Sequence, residues 1–137
     1  MRRDARLSRM LHVLIHMDKR GGRTTSDTLA LMLGTNPVVV RRTMAPLKLA
    51  GFVGSDGGAG GGWSLLRPLD TITVRDVHEA LGAPQAIAIE AALDHPACPV
   101  ERAVVAELGA IFRATEDFML LRMQDMTLAA IAGQQER

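Results

Sequence analysis

A chain of 137 residues, 47% of them hydrophobic, is long enough for one domain with one modest core and a small appendage. Its only aromatic residues of the Phe, Tyr and Trp type are Phe52, Trp63, Phe112 and Phe118, so Leu, Val, Ile, Ala and Met must build that core. No apolar run approaches the roughly 20 residues of a membrane span. Cys98 is the single cysteine, which excludes an internal disulfide and any site of several thiolates within one chain.

The formal net charge of +1 hides an asymmetry. Residues 1–75 carry twelve Lys or Arg against five Asp or Glu, a surplus of +7, whereas residues 76–137 carry four against ten, a deficit of −6. A basic half suits a polyanion, because neutralised phosphates release counterions.

Leu7, Met10, Leu11, Leu14 and Ile15 recur at helical spacing and predict a first helix over about 5–17, ended by Gly21 and Gly22. The run from Leu11 to Ile15 is too short for a signal peptide and lacks a cleavage site after it, so a cytoplasmic protein is expected. A second helix is predicted to begin near Ser26. Thr24 and Asp27 have capping-box spacing, and Gly34 permits the left-handed closure of a helix end. Asn36 followed by Pro37 marks the start of a third helix: the amide oxygen caps, and proline at the first helical position loses no bond. That helix is expected to reach about Ala50 before Gly51, with a kink or a tightened last turn at Pro46.

Two short helices joined by a tight turn with glycine make a helix-turn-helix. Phe52-Val53 and Trp63-Leu66 then flank a glycine-rich loop, which reads as a β-hairpin, the wing of a winged helix. Thr73 and Asp76 repeat the capping spacing at the start of a fourth helix that ends before Gly82. Residues 85–97 are ambiguous between helix and strand. A long helix over about 100–126 carries more apolar residues than one stripe holds, so it needs two partners, one of them the same helix of a second subunit. Residues 127–132 are expected to form a short terminal turn.

The fold class expected is therefore mainly α with a small β-hairpin, a winged helix-turn-helix over residues 1–83, and a connecting segment plus dimerisation helix over 84–137. In a helix-turn-helix the second helix enters the major groove and arginine can bind guanine or hold phosphate. Arg41 and Arg42 are the candidates for this role, with Pro37 and Val39 beside them. Thr25, Ser26, Asn36 and Lys48 are candidates for backbone contacts, and Gly58, Ala59 and Gly60 for the wing tip. Val104, Leu108, Ile111, Phe112, Phe118 and Met119 are the candidate dimerisation residues.

Enzyme chemistry finds no constellation. Gly57 to Gly62 leads into Trp63 and Ser64, not into a helix, so it is no nucleotide cradle. His12 and His16 stand one helical turn apart, as metal ligands often do, but no catalytic Glu accompanies them, and packing or surface positions are expected. His95, Cys98 and Glu101 are close enough in sequence to suggest a mixed-ligand metal site; the commoner fate of a lone Cys is a small buried residue. Alternatively, Cys98 near a helix N-terminus is a candidate thiol sensor. No cofactor and no metal are expected.

Thr24-Thr25-Ser26, then Leu47-Lys48-Leu49-Ala50-Gly51-Phe52-Val53, then Gly60-Gly61-Gly62-Trp63-Ser64-Leu65, then Ile72 to Val77, together resemble the Rrf2 family of bacterial winged-helix regulators over nearly the whole chain. That family includes iron–sulfur cluster regulators and nitric-oxide-sensing repressors. The resemblance implies a homodimer with crossed long helices on a palindromic operator. Cluster-binding members carry three clustered cysteines before the long helix; this chain has Cys98 alone, and its Asn36–Arg42 and Cys98-Pro99-Val100 segments look like the cluster-free branch. Gly57 stands where many members have a wing arginine. The expected function is a sequence-specific DNA-binding repressor, acting as a homodimer on double-stranded DNA and responding to a redox or small-molecule effector. The alternative is a winged-helix adaptor that binds a protein or small molecule without DNA, to which Asp56 at the wing lends a hint because it repels phosphate.

Overall fold

The apolar stripes of the first three helices close on one another. They are α1 (Arg6–Arg20), α2 (Ser26–Leu33) and α3 (Pro37–Leu49), and the computed structural model describes residues 4–57 and 61–134 of the chain. Met10, Val13, Leu14 and Met17 of α1 meet Leu29 and Ala30 of α2 and Val40, Met44 and Leu47 of α3 in one buried cluster. Phe52, Val53, Trp63, Leu69, Ile72, Val77 and Leu128 complete it. Every one of these residues is apolar, so their burial is the main stabilising term of the fold.

The three strands are short: β1 (Arg23–Thr24), β2 (Val53–Ser55) and β3 (Trp63–Leu65). They form an antiparallel sheet in the order β1-β3-β2, with Thr24 opposite Trp63 and Val53 opposite Leu65. The hairpin is therefore extended by a third strand that two residues of sequence cannot announce. Gly62 is where β1 comes closest, since a Cβ there would lie 2.8 Å from the carbonyl oxygen of Thr24. Drawing Thr24 into the sheet displaces the cap of α2 by one residue. Thr25, not Thr24, caps it, accepting a hydrogen bond from the Thr28 N–H at 3.2 Å, which corrects the capping box expected from Thr24 and Asp27.

The helix ends follow the expected chemistry. Gly34 closes α2 in the left-handed conformation, φ 66° and ψ 38°, and the N–H of Thr35 bonds back to the carbonyl of Ala30 at 2.9 Å. Gly51, at φ 84°, does the same after α3, with the Phe52 N–H on the carbonyl of Leu47 at 3.0 Å. α3 runs through Pro46 to Leu49, so the tightening lies in this closure.

A 3-10 turn (Leu69–Thr71) leads into α4 (Val74–Ala80), whose capping box from Thr73 and Asp76 has both reciprocal bonds, at 3.0 and 2.9 Å. Residues 81–98 contain no helix or strand, which resolves the ambiguous stretch as irregular chain. α5 (Pro99–Gln124) is 26 residues long and has no buried residue at all. After it the chain returns. Where a terminal turn was expected, α6 (Leu128–Gln134) forms a helix. The Leu128 N–H bonds to the Ile72 carbonyl at 2.9 Å, and its side chain is fully buried in the core of α1, α2 and α3. No helix among the described residues is long and apolar enough to cross a membrane.

Candidate nucleic-acid interface

Asn36 fixes the start of α3. Its side-chain oxygen accepts from the N–H groups of Val38 and Val39 at 3.0 and 3.1 Å, and Pro37 occupies the first turn. From that start the periodicity separates two faces. Val40, Met44 and Leu47 are fully buried. Val38, Arg41, Arg42, Ala45, Lys48 and Leu49 are all exposed on the opposite side. Arg41 and Arg42 have no hydrogen bond or ion pair with any described residue, so both guanidinium groups are available. Lys48 is steered: its ammonium donates to the Ser55 hydroxyl at 2.7 Å, tying the end of α3 to the first strand of the wing.

The remaining sequence-predicted residues divide. Thr25 is exposed and its hydroxyl is occupied with Thr28, donating to the Thr28 hydroxyl at 3.0 Å. Ser26 is half-buried, and its hydroxyl accepts from the Trp63 indole N–H at 3.0 Å, which anchors the wing's return strand to the start of α2. Val39 is half-buried on the flank facing α1, in a cleft of about 750 Å³ that is also lined by Arg9, His12, Thr35 and Arg42. Val38 and Ala45, not singled out in the sequence, share the outer face with Arg41. Counting three back and four forward from Arg41 would have found them. Gly58, Ala59 and Gly60 lie outside the described residues.

Asp56 at the base of the wing is neutralised. Arg23 of β1 reaches it at 2.7 Å, which puts a cation beside the wing that the sequence places at neither position 57 nor its neighbours. This offsets the charge through which Asp56 would repel phosphate.

The candidate dimerisation residues separate in the same manner. Val100, Val104, Ile111 and Phe118 stand on one side of α5 and are 72%, 50%, 56% and 65% exposed. Leu108, Phe112 and Met119 are half-buried on the side that leans on the rest of the chain. Arg75 of α4 bonds the Gln124 amide oxygen at 2.7 Å, and the N–H of Ala86 bonds Glu116 at 3.1 Å, so α5 is held by its polar edge.

Other chemistry-bearing groups do not assemble as the sequence suggested. The backbone N–H of His95 donates to Glu101 at 2.7 Å, and Cys98 is a half-buried free thiol at the N-cap of α5. Among the described residues no group of three or more His, Cys, Asp or Glu could hold a metal ion, so the mixed-ligand site at His95, Cys98 and Glu101 does not form. On α1, His12 and His16 take the surface positions expected, His12 exposed and His16 half-buried, and their Nε2 atoms lie 2.8 Å apart, within hydrogen-bond distance. Burial, then His12 and Lys19, hold His16 below the ordinary histidine value.

Residues 3–134 match the family model Rrf2, described as iron-dependent transcriptional regulators. The chain is 30% identical over 118 residues to YwnA of Bacillus subtilis, named as an HTH-type transcriptional regulator, covering 85% of this chain and 86% of that one. Its fold is similar to that of a protein from Lactobacillus plantarum described as a transcriptional regulator, with a TM-score of 0.81 at 19% identity over 97% of this chain and 91% of that one. It is also similar to CymR, the global cysteine regulator of B. subtilis, with a TM-score of 0.69 at 24% identity over 98% of both. The iron in the family description finds no matching donor set here. One half-buried cysteine and no three-ligand cluster among the described residues do not fit an iron–sulfur centre.

Proposed function

The chain belongs to the Rrf2 family and is a DNA-binding transcriptional regulator, not an enzyme; from that premise we propose that it is a homodimeric repressor whose paired α3 helices read a palindromic operator. The observation that carries this reading is the outer face of α3, where Arg41 and Arg42 stand unpaired opposite the buried Val40, Met44 and Leu47. Two adjacent arginines near the start of such a helix supply both a base-edge contact and a phosphate contact. Asn36, Pro37 and Thr25 set the height of that helix over the backbone, and Lys48 brings charge to the edge of the wing.

The second copy of the chain is the occupant proposed for the exposed stripe of Val100, Val104, Ile111 and Phe118. A contiguous apolar face of that kind marks an interaction site, and a two-fold interface would present it to itself. Dimer symmetry then requires an operator of two inverted half-sites spaced by whole turns of DNA. Such a protein acts in the cytoplasm, where its DNA lies. Cys98 is the one thiol through which a covalent redox signal can enter, at the joint where α5 begins; any other signal is a small molecule bound without a covalent bond.

Selection of genomic fragments by the purified chain, followed by sequencing, tests the reading. The expected result is one recurrent inverted repeat. Fragments no different from the input pool would overturn it in favour of a winged-helix adaptor that binds protein or a small molecule. With the repeat in hand, Cys98→Ser is expected to abolish any loss of operator affinity that mild peroxide causes in the native chain; an equal loss in both makes Cys98 structural.

A further inference from the structure

We propose that the cleft between α1 and the flank of α3 binds a small organic anion with an apolar body, and that this ligand competes with DNA for Arg42. The competition rests on the reading of α3 as the DNA-contacting helix; the site itself does not. The cleft encloses about 750 Å³, inside the range of roughly 300–1,000 Å³ typical of small-molecule sites. Its floor is apolar, built from Met10 of α1, Leu33 at the end of α2, Val39 and Pro46 of α3 and Leu81 after α4. Met10 is buried and the other four are half-buried, so each still has surface to give to a ligand or a neighbour. The rim is cationic, with Arg9 on the α1 wall and Arg42 on the α3 wall, both exposed.

Most other donors around the cleft are already used. Arg6 holds the Asp4 carboxylate at 2.7 Å, and His12 meets His16 through Nε2. The Gly34 and Thr35 N–H groups donate to the carbonyls of Leu31 and Ala30, and the Thr43 hydroxyl donates to the Val39 carbonyl at 2.9 Å. Arg9 and Arg42, by contrast, make no hydrogen bond or ion pair with any described residue. Two guanidinium groups and the exposed Thr35 hydroxyl are therefore left to receive a ligand. Guanidinium groups bind carboxylates and phosphates through paired N–H donors, the strongest hydrogen bonds that neutral water allows a side chain.

The floor decides which anion fits. A DNA phosphodiester or a free inorganic ion gains nothing from apolar walls and loses water against them. A ligand with an apolar body buries that body on the floor and places its charge on the rim. Arg42 then faces two ways. It lines the cleft, and it is exposed on the outer face of α3 with Val38 and Ala45. Arg41 lies outside the cleft, on the side of α3 that it shares with Lys48, seven residues on, which is tied to the wing. An anion in the cleft thus engages Arg42, leaves Arg41, and adds negative charge at the edge of the face proposed for phosphate.

Proton–nitrogen correlation NMR of the full chain titrated with cinnamate tests the site, with neutral cinnamamide and inorganic phosphate titrated in parallel. Saturable shifts are expected at the amides of Leu33, Thr35, Val39 and Leu81, with cinnamamide and phosphate bound at least about tenfold more weakly. Arg9→Gln, at an exposed position, is expected to weaken cinnamate binding by about tenfold or more, the value of a hydrogen bond to a charged group, while Arg41→Gln binds it as the native chain does. No shift at millimolar cinnamate, or undiminished binding by a folded Arg9→Gln chain, would overturn the site. These spectra need no DNA, so they decide the site whatever the operator search returns. On a selected operator, cinnamate that saturates the native chain is expected to weaken DNA binding by about fivefold or more, the value of one arginine contact, and to act far less on Arg9→Gln. Operator affinity unchanged by bound cinnamate would overturn the competition. A chain that takes no cinnamate, and whose operator affinity and salt slope both fall with Arg9→Gln, would give the cleft to a DNA phosphate and overturn the proposal.

Discussion

α3 and α5 are both helices with an apolar stripe, and they dispose of it in opposite ways. In α3, half the length of α5, Val40, Met44 and Leu47 are fully buried and the outer face is basic. In α5 not one of 26 residues is buried, and the outer face is Val100, Val104, Ile111 and Phe118. Hydrophobic periodicity states that a stripe must be covered. It does not state by what. The chain itself covers α3, through α1, α2, α4 and β2, and leaves the outer face of α5 exposed.

Substitutions can break this contrast at either end. The largest expected effect is at the covered helix: Leu47→Ala removes a side chain with no accessible surface and should cost about 2–5 kcal/mol, read as a lower denaturant midpoint. The joint change Ile111→Glu and Phe118→Glu should leave the far-UV dichroism in place and weaken self-association by at least about a hundredfold, near 3 kcal/mol, read by sedimentation equilibrium. A native chain that sediments as a folded monomer at micromolar concentration would remove the second copy from the account. The smallest effect expected is at the start of α3. Asn36→Ala forfeits the bonds to Val38 and Val39 and should cost about 1 kcal/mol in thermal or chemical unfolding.

The same contrast explains what could be read from sequence. Local chemistry was legible. Asn36-Pro37 starts a helix, Gly34 and Gly51 end two, and Thr73 with Asp76 closes a capping box, because each depends on neighbours within a few residues. What depends on distant partners was not. Thr24 matched a cap by spacing, but pairing with Trp63 claimed it for β1 and moved the cap to Thr25. Residues 127–132 looked like a terminal turn because the seven-residue, alanine-rich helix that forms there draws its stability from docking Leu128 beside Ile72 and α1. On α3, Arg41 and Arg42 were legible as surface residues from type and position. The choice between Val38 and Val39 required knowing which residues face the core. The convergence of His12 and His16 needed ring orientations that spacing alone does not supply.

The central claim is that the outer face of α3 holds DNA, and the salt dependence of operator binding tests it most directly. Each lysine or arginine on a phosphate contributes close to one unit of slope in a plot of log affinity against log salt. The paired change Arg41→Ala and Arg42→Ala should therefore weaken operator binding and flatten that slope by about one to two units while the fold and the dimer persist. An operator bound by the doubly substituted chain with native affinity and native slope would contradict the account.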